Sequence, residues 1–233
     1  GGWLDTVLTH EYVHILHLDQ AAGLPHALRN VFGRIFFNFP QAFNPLWITE
    51  GIAVYGETDR EKGFGRGQGA LYAAMMRAEY LNGFRSYSQL SYQGYWGTDW
   101  PAGQVYLYGY YFFEFMQNTY GREKTMAYLT NWNRNMIPWR MDARARRTLN
   151  ISAEELWQQY VAYLTEKFSA DVKQITSSEH TPVVESGRVN SNPVWLPDGS
   201  FYYHRNDGRN KPTLQHIDAQ GVETTLAKLE QFN

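Results

Sequence analysis

Cysteine is absent from all 233 residues, which excludes disulfide staples and thiolate metal ligands and fits an exported bacterial protein, periplasmic or extracellular. No run approaches eighteen uninterrupted apolar residues, so no segment is expected to span a membrane. Neither sign of charge prevails: 21 Lys and Arg stand against 23 Asp and Glu, and the net charge of -2 predicts no electrostatic attraction to nucleic acid. The densest basic group, Arg140, Arg144, Arg146 and Arg147, reads as a solvated helix face. Hydrophobic residues are plentiful at 43%, enough to bury a large core. Aromatic residues concentrate between Tyr87 and Tyr120, where core packing is their expected role.

With thiolates excluded, metal ligation falls to imidazole and carboxylate, and these meet in His10-Glu11-Tyr12-Val13-His14. Helical residues advance by about 100° each, so His10 and His14 at i and i+4 stack on one face and can grip one ion. Glu11 lies beside that face, placed to deprotonate a water whose pKa the metal lowers. The flanking Trp3, Leu4, Val7, Leu8, Val13, Ile15, Leu16 and Leu18 predict a buried central helix. Unpartnered, three polar groups inside such a helix would be costly, whereas coordination satisfies them together. The competing reading is a partly exposed helix with two surface histidines. His17, one turn on, is read as a packed or supporting histidine, because three ligands from one helix give poor geometry.

A catalytic zinc of this kind takes three protein ligands and leaves one position open. The third candidate is Glu50 in Leu46-Trp47-Ile48-Thr49-Glu50-Gly51-Ile52-Ala53-Val54-Tyr55-Gly56-Glu57, where Asn44 and Pro45 supply a helix start and Gly51 lets another helix approach. The alternative is an exposed acid early in a helix.

These residues resemble the gluzincin zinc metallopeptidases, the peptidase MA-like group that includes aminopeptidase N-like and thermolysin-like enzymes. Leu46, Trp47, Glu50, Gly51, Ala53, Tyr55 and Glu57 match the second motif of aminopeptidase N-like members. The resemblance implies Zn²⁺ held by His10, His14 and Glu50, with Glu11 as general base in peptide-bond hydrolysis. The chain departs from those aminopeptidases in spacing: Glu50 follows His14 by 36 positions, and the extra stretch from Gln20 to Phe43 is expected to form an inserted helix and loop over the cleft. Val105-Tyr106-Leu107-Tyr108-Gly109, with Gly121 twelve residues on, matches a third family segment and places the oxyanion-stabilising tyrosine at Tyr106, with Tyr108 and Tyr110 as rivals. The acid that thermolysin-like members carry four residues after the ligand glutamate is Val54 here, which leaves Asp19 and Glu57 as candidates to orient a histidine. The family's amino-terminal sheet would have to precede Gly1, so the chain reads as part of a longer enzyme, and whether it acts without that sheet is left open.

The expected fold is mainly α, a zincin-like catalytic helical subdomain followed by a short C-terminal antiparallel β segment. Helices are expected over Gln68–Asn82, Gln104–Tyr120 and from Ser152, a capping box, to about Lys173. Residues 1–173 would form the metallopeptidase domain, 174–190 a linker and 191–233 a partial propeller blade. In that last part Asp198-Gly199, Asp207-Gly208 and Gln220-Gly221 separate about four short strands. Asn192-Pro193-Val194-Trp195-Leu196-Pro197-Asp198-Gly199 resembles the opening of a TolB-like β-propeller blade. One blade cannot bury its inner face, which predicts that 191–233 is poorly ordered or paired with a neighbouring molecule. The expected partners are a peptide or protein substrate and a protein bound through the propeller. The competing functional class is a non-catalytic envelope binding or scaffold protein that joins a peptidase-like domain to a propeller.

Overall fold

Apolar and aromatic side chains run almost unbroken from Val105 to Met116, and a helix with no polar face must be surrounded on all sides. In the computed structural model that segment is the central helix of a mostly helical chain that ends in a small antiparallel sheet. The structure describes residues 2–59, 61–91, 103–135, 137, 140–175 and 182–229. Positions 92–102 of the aromatic-rich stretch, 176–181 of the linker and 230–233 of the blade lie outside the described residues. Two units, Gly1–Thr176 and Ser177–Asn233, divide the chain.

The first unit holds eight helices among its described residues: α1 (Trp3–Leu18), α2 (Leu24–Phe32), α3 (Leu46–Glu57), α4 (Ala70–Asn82), α5 (Tyr87–Ser91), α6 (Gln104–Thr130), α7 (Met141–Leu149) and α8 (Ala153–Gln174). Around α6 the core takes Trp47, Ile48 and Val54 from α3 and Tyr160, Leu164 and Phe168 from α8. Phe112 meets Trp47 edge-on at 4.9 Å and Tyr160 at 5.5 Å. Each such aromatic pair adds about 0.5–1.5 kcal/mol to the area it buries. None of the described helices is long and apolar enough to cross a membrane.

Where α3 and α6 cross, their backbones touch. A Cβ on Gly51 would lie 2.4 Å from the Cα of Gly109, and one on Gly109 would lie 2.1 Å from the carbonyl oxygen of Trp47. Backbone cannot yield as a side-chain tip does, so Gly109→Ala must force the helices apart. Overpacking costs about 1–3 kcal/mol, and a contact this close belongs at the upper end. Urea unfolding should show a loss of about 3 kcal/mol; a midpoint equal to wild type would mean that the helices do not cross at these glycines.

Two local expectations shift and one holds. The helix opening at Gln104 does not stop at Tyr120: Gly121, at φ 78° and ψ 171°, kinks it and a second segment continues to Thr130. Ser152 caps α8 through its Oγ, which accepts from the Glu155 amide at 3.0 Å. Asn44 does not cap α3. Pro45 is the boundary residue, and Asn44 Oδ1 instead accepts from Arg144 Nη2 at 2.5 Å.

Two burial expectations are overturned. α1 is not a central helix: Trp3, Leu4, Leu8, Tyr12, Ile15 and Leu16 are exposed, while His10 and His17 are its buried residues. The helix turns its imidazoles inward because the polar partners for them stand on α3 and in the stretch before it. Apolar residues all round a helix cannot reveal which side the fold covers. Arg144 is likewise not part of a solvated face, being only 2% exposed, whereas Arg140, Arg146 and Arg147 are exposed. α7 packs on both α6 and α8, and Arg144 points into that junction.

The second unit is a meander of β1 (Val189–Trp195), β2 (Phe201–Asn206), β3 (Thr213–Ile217) and β4 (Glu223–Lys228), each antiparallel to the next. Asp198 closes the first turn by accepting from the Ser200 amide at 3.0 Å, with Gly199 at φ 85°. Phe201, Tyr203 and Ile217 form its small core with Val184. Residues 189–228 form hydrogen-bonded strands and turns. β4 is exposed along its whole length.

Candidate metal centre

The i, i+4 spacing on α1 sets the two imidazoles edge to face, with ring centroids 4.6 Å apart. Glu50, in the second turn of α3 and 4% exposed, is carried to them by the close crossing of α3 with α6 and by the packing of α1 on α3. His10 Nε2 lies 3.1 Å from His14 Nε2 and 3.2 Å from Glu50 Oε2, and the third side, His14 Nε2 to Glu50 Oε2, measures 3.3 Å. Ligands held at about 2.0–2.1 Å from a tetrahedral Zn²⁺ stand roughly 3.3 Å apart. The two nitrogens and one oxygen therefore form a triangle of the size such an ion requires, and the group could hold a metal ion.

The other face of His10 is held as firmly. Its Nδ1 lies 2.8 Å from Glu57 Oε2, and Glu57 in turn receives Arg66 Nε at 2.7 Å and Nη2 at 2.8 Å. Arg66 Nη2 also lies 2.8 Å from His10 Nδ1. One nitrogen cannot both donate to the carboxylate and accept from the guanidinium. With Nε2 turned towards an ion, Nδ1 carries the proton and donates to Glu57, while Arg66 spends its hydrogen bonds on that same carboxylate.

Burial alone would lower the His10 pKa, but hydrogen bonds with Glu50 and Glu57 outweigh it and push it up to about 9. Burial would raise Glu57, yet the Arg66 and His10 hydrogen bonds hold its carboxyl below the usual range. Both shifts describe a pocket that favours a cation between its carboxylates.

Arg66 was not visible as a site residue in the sequence. It rides a glycine-rich turn that lies flush on the end of α3: a Cβ on Gly65 would lie 2.6 Å from the Glu57 carbonyl oxygen, and one on Gly67 2.1 Å from the Tyr110 ring. The only local signal was an arginine between two glycines soon after an acid.

A cleft of about 470 Å³ opens at this site, lined by His10, Glu11, Glu57, Arg66 and Tyr106 with Trp3, Thr6 and Val7. Glu11 is exposed to it. Tyr106 sits in the first turn of α6, its ring 6.2 Å from that of His10, and hydrogen-bonds Glu50. Burial and then the charge of Glu50 raise the Tyr106 pKa, so it keeps its proton. Its two rivals face elsewhere: Tyr108 donates to Glu79 Oε2 at 2.5 Å, and Tyr110 packs against Tyr55 and Tyr72.

Of the two carboxylates considered for orienting a histidine, Glu57 reaches His10, whereas Asp19 pairs with Arg29 at 3.2 Å and Arg34 at 2.7 Å. Asp19 follows the last turn of α1, too far along the helix to return to the imidazoles. His17 is buried against Gln41 Oε1 at 3.1 Å, its pKa lowered to about 4 by burial and the charge of Arg144. Comparison with known proteins finds no matching family model, no matching curated protein and no matching solved structure.

Proposed function

We propose that the protein is a zinc-dependent peptidase of the gluzincin type, with His10, His14 and Glu50 as the metal ligands. The observation that carries this reading is the triangle of two imidazole nitrogens and one carboxylate oxygen with sides of 3.1, 3.2 and 3.3 Å. A mixed nitrogen and oxygen donor set of three, open on one side, suits a catalytic zinc better than a closed structural one.

When bound, zinc supplies Lewis acidity, polarising a substrate carbonyl and easing the deprotonation of water. Glu11, free in the cleft, accepts the proton of the attacking water and passes it to the leaving amine. Tyr106 keeps its O–H to donate to the oxygen on which negative charge develops. Glu57, clamped by Arg66, accepts the hydrogen bond of the protonated His10 Nδ1, which leaves Nε2 with its lone pair facing Glu50 and His14. The cleft volume and its mixture of Trp3, Val7 and polar groups suit a peptide segment as substrate.

Metal analysis of the purified protein, joined to anomalous scattering at the zinc edge, tests the assignment. One zinc per chain between His10, His14 and Glu50 is expected; no uptake, or an ion bound elsewhere, would overturn it.

Zinc must also compete with a proton. Because the His10 pKa lies near 9 without metal, uptake below that pH releases the proton shared with Glu50. Apparent zinc affinity should therefore rise about tenfold per pH unit between roughly pH 7 and 9 and then level off. Chelator competition across that range reads the slope, and a flat profile would mean that His10 is not a ligand.

A further inference from the structure

Arg144 is a buried cation with no carboxylate partner among the described residues. Its guanidinium lies 4.0 Å over the Trp132 ring and 5.1 Å from that of Tyr128, and Nη2 donates to Asn44 Oδ1 at 2.5 Å. The Tyr128 hydroxyl approaches it as well, yet Nε and Nη1 have no hydrogen-bond partner. A guanidinium taken out of water with two unmet donors and no counter-charge is an expensive arrangement unless something supplies both.

Beside it is a small cavity lined by Arg140, Arg144 and Arg147 with Asn131, Asn135 and Trp132, and by no acidic side chain among the described residues. Arg140 and Arg147 are exposed, and neither has an ion-pair partner among the described residues. About 10 Å³ is open to the centre of a water-sized body, room for one atom-sized ligand and too little for phosphate or sulfate. Water would answer the N–H groups but not three positive charges.

We propose that this cavity is a binding site for a small monovalent anion of halide size, held by Arg144 from within and by Arg140 and Arg147 at its mouth. The ion supplies the missing acceptor and the missing charge together. Its place in the fold gives it a structural task. Arg144 holds Asn44 at the threshold of α3, and Asn44 Nδ2 donates at 2.5 Å to Gln41 Oε1, the oxygen that also meets His17 of α1. An anion on Arg144 thus steadies α7 against the two helices that carry the metal ligands, without touching the ligands themselves.

Bromide is the probe. Crystals grown in sodium bromide should give one bromine anomalous peak within hydrogen-bond reach of Arg144 Nε and Nη1. In solution, the thermal midpoint should rise saturably in bromide or chloride above its value in sodium gluconate of equal ionic strength. The Arg140→Ala/Arg147→Ala double variant, altered only at exposed positions, should need several-fold more bromide for half of that rise. Arg144→Met should abolish the peak and the bromide dependence; if it does not fold, the double variant still decides. No bromine peak at Arg144, identical midpoints in bromide and gluconate, or an unchanged half-saturation in the double variant would each overturn the proposal. None of these readings involves zinc, so they stand or fall apart from the peptidase assignment.

Discussion

Glu11→Gln should leave zinc bound at one per chain while lowering peptide hydrolysis by about 10²–10⁴-fold, the contribution of a positioned general base. The substitution keeps the size of the side chain and removes only its ability to take a proton. Glu11 is exposed at the cleft and is not one of the three donor atoms that form the triangle, so metal content has no reason to change. Turnover of a peptide library should fall through kcat, with KM little moved, because the lost interaction belongs to the transition state. Undiminished turnover by the variant would sink the role of Glu11, and parallel loss of zinc would show that it holds the metal instead.

Glu50→Ala should have the opposite signature, with zinc itself lost. Removing a group that merely supports a ligand weakens metal affinity about 10–100-fold, so removing a ligand should exceed that, by more than roughly 100-fold. Two imidazoles on one helix remain, and two donors cannot enclose the ion. The side chain is 4% exposed and also meets Tyr106, so the variant should keep its helical circular dichroism while losing zinc to a competing chelator. Full zinc occupancy in a folded Glu50→Ala protein would remove Glu50 from the ligand set.

The two experiments separate the parts of the site by their origin in the chain. His10 and His14 share a face because helical rotation is a local property, readable from their spacing alone. Glu50 stands 40 residues from His10, and nothing local determines how near the two come. Their meeting rests on Gly51 and Gly109, where missing side chains let α3 and α6 touch and so fix the depth at which Glu50 sits. Arg66 is further still from local reading, since it reaches Glu57 only because two glycines press its turn against α3 and Tyr110.

Burial followed the same division. The apolar residues of α1 said that the helix has much surface to hide, but its exposed Leu8, Tyr12 and Ile15 depend on which neighbours the fold provides. Arg144, the second of four arginines in a stretch that reads as solvated, is buried because α7 packs on α6 and α8 with Trp132 and Tyr128 waiting for a flat cation.

By itself, then, the sequence determined the helical character of the first unit, the paired imidazoles of α1, the serine cap of α8 and the Asp-Gly turn of the strands. Each of these follows from periodicity or from side-chain to backbone hydrogen bonds over a few residues. Motif resemblance singled out Glu50 and Tyr106, but tertiary structure alone decided how near Glu50 comes to the two imidazoles, that Glu57 rather than Asp19 meets His10, and that Arg144 is enclosed. Those outcomes depend on distances between elements, which are set by how closely backbones pack and not by the pattern along either one.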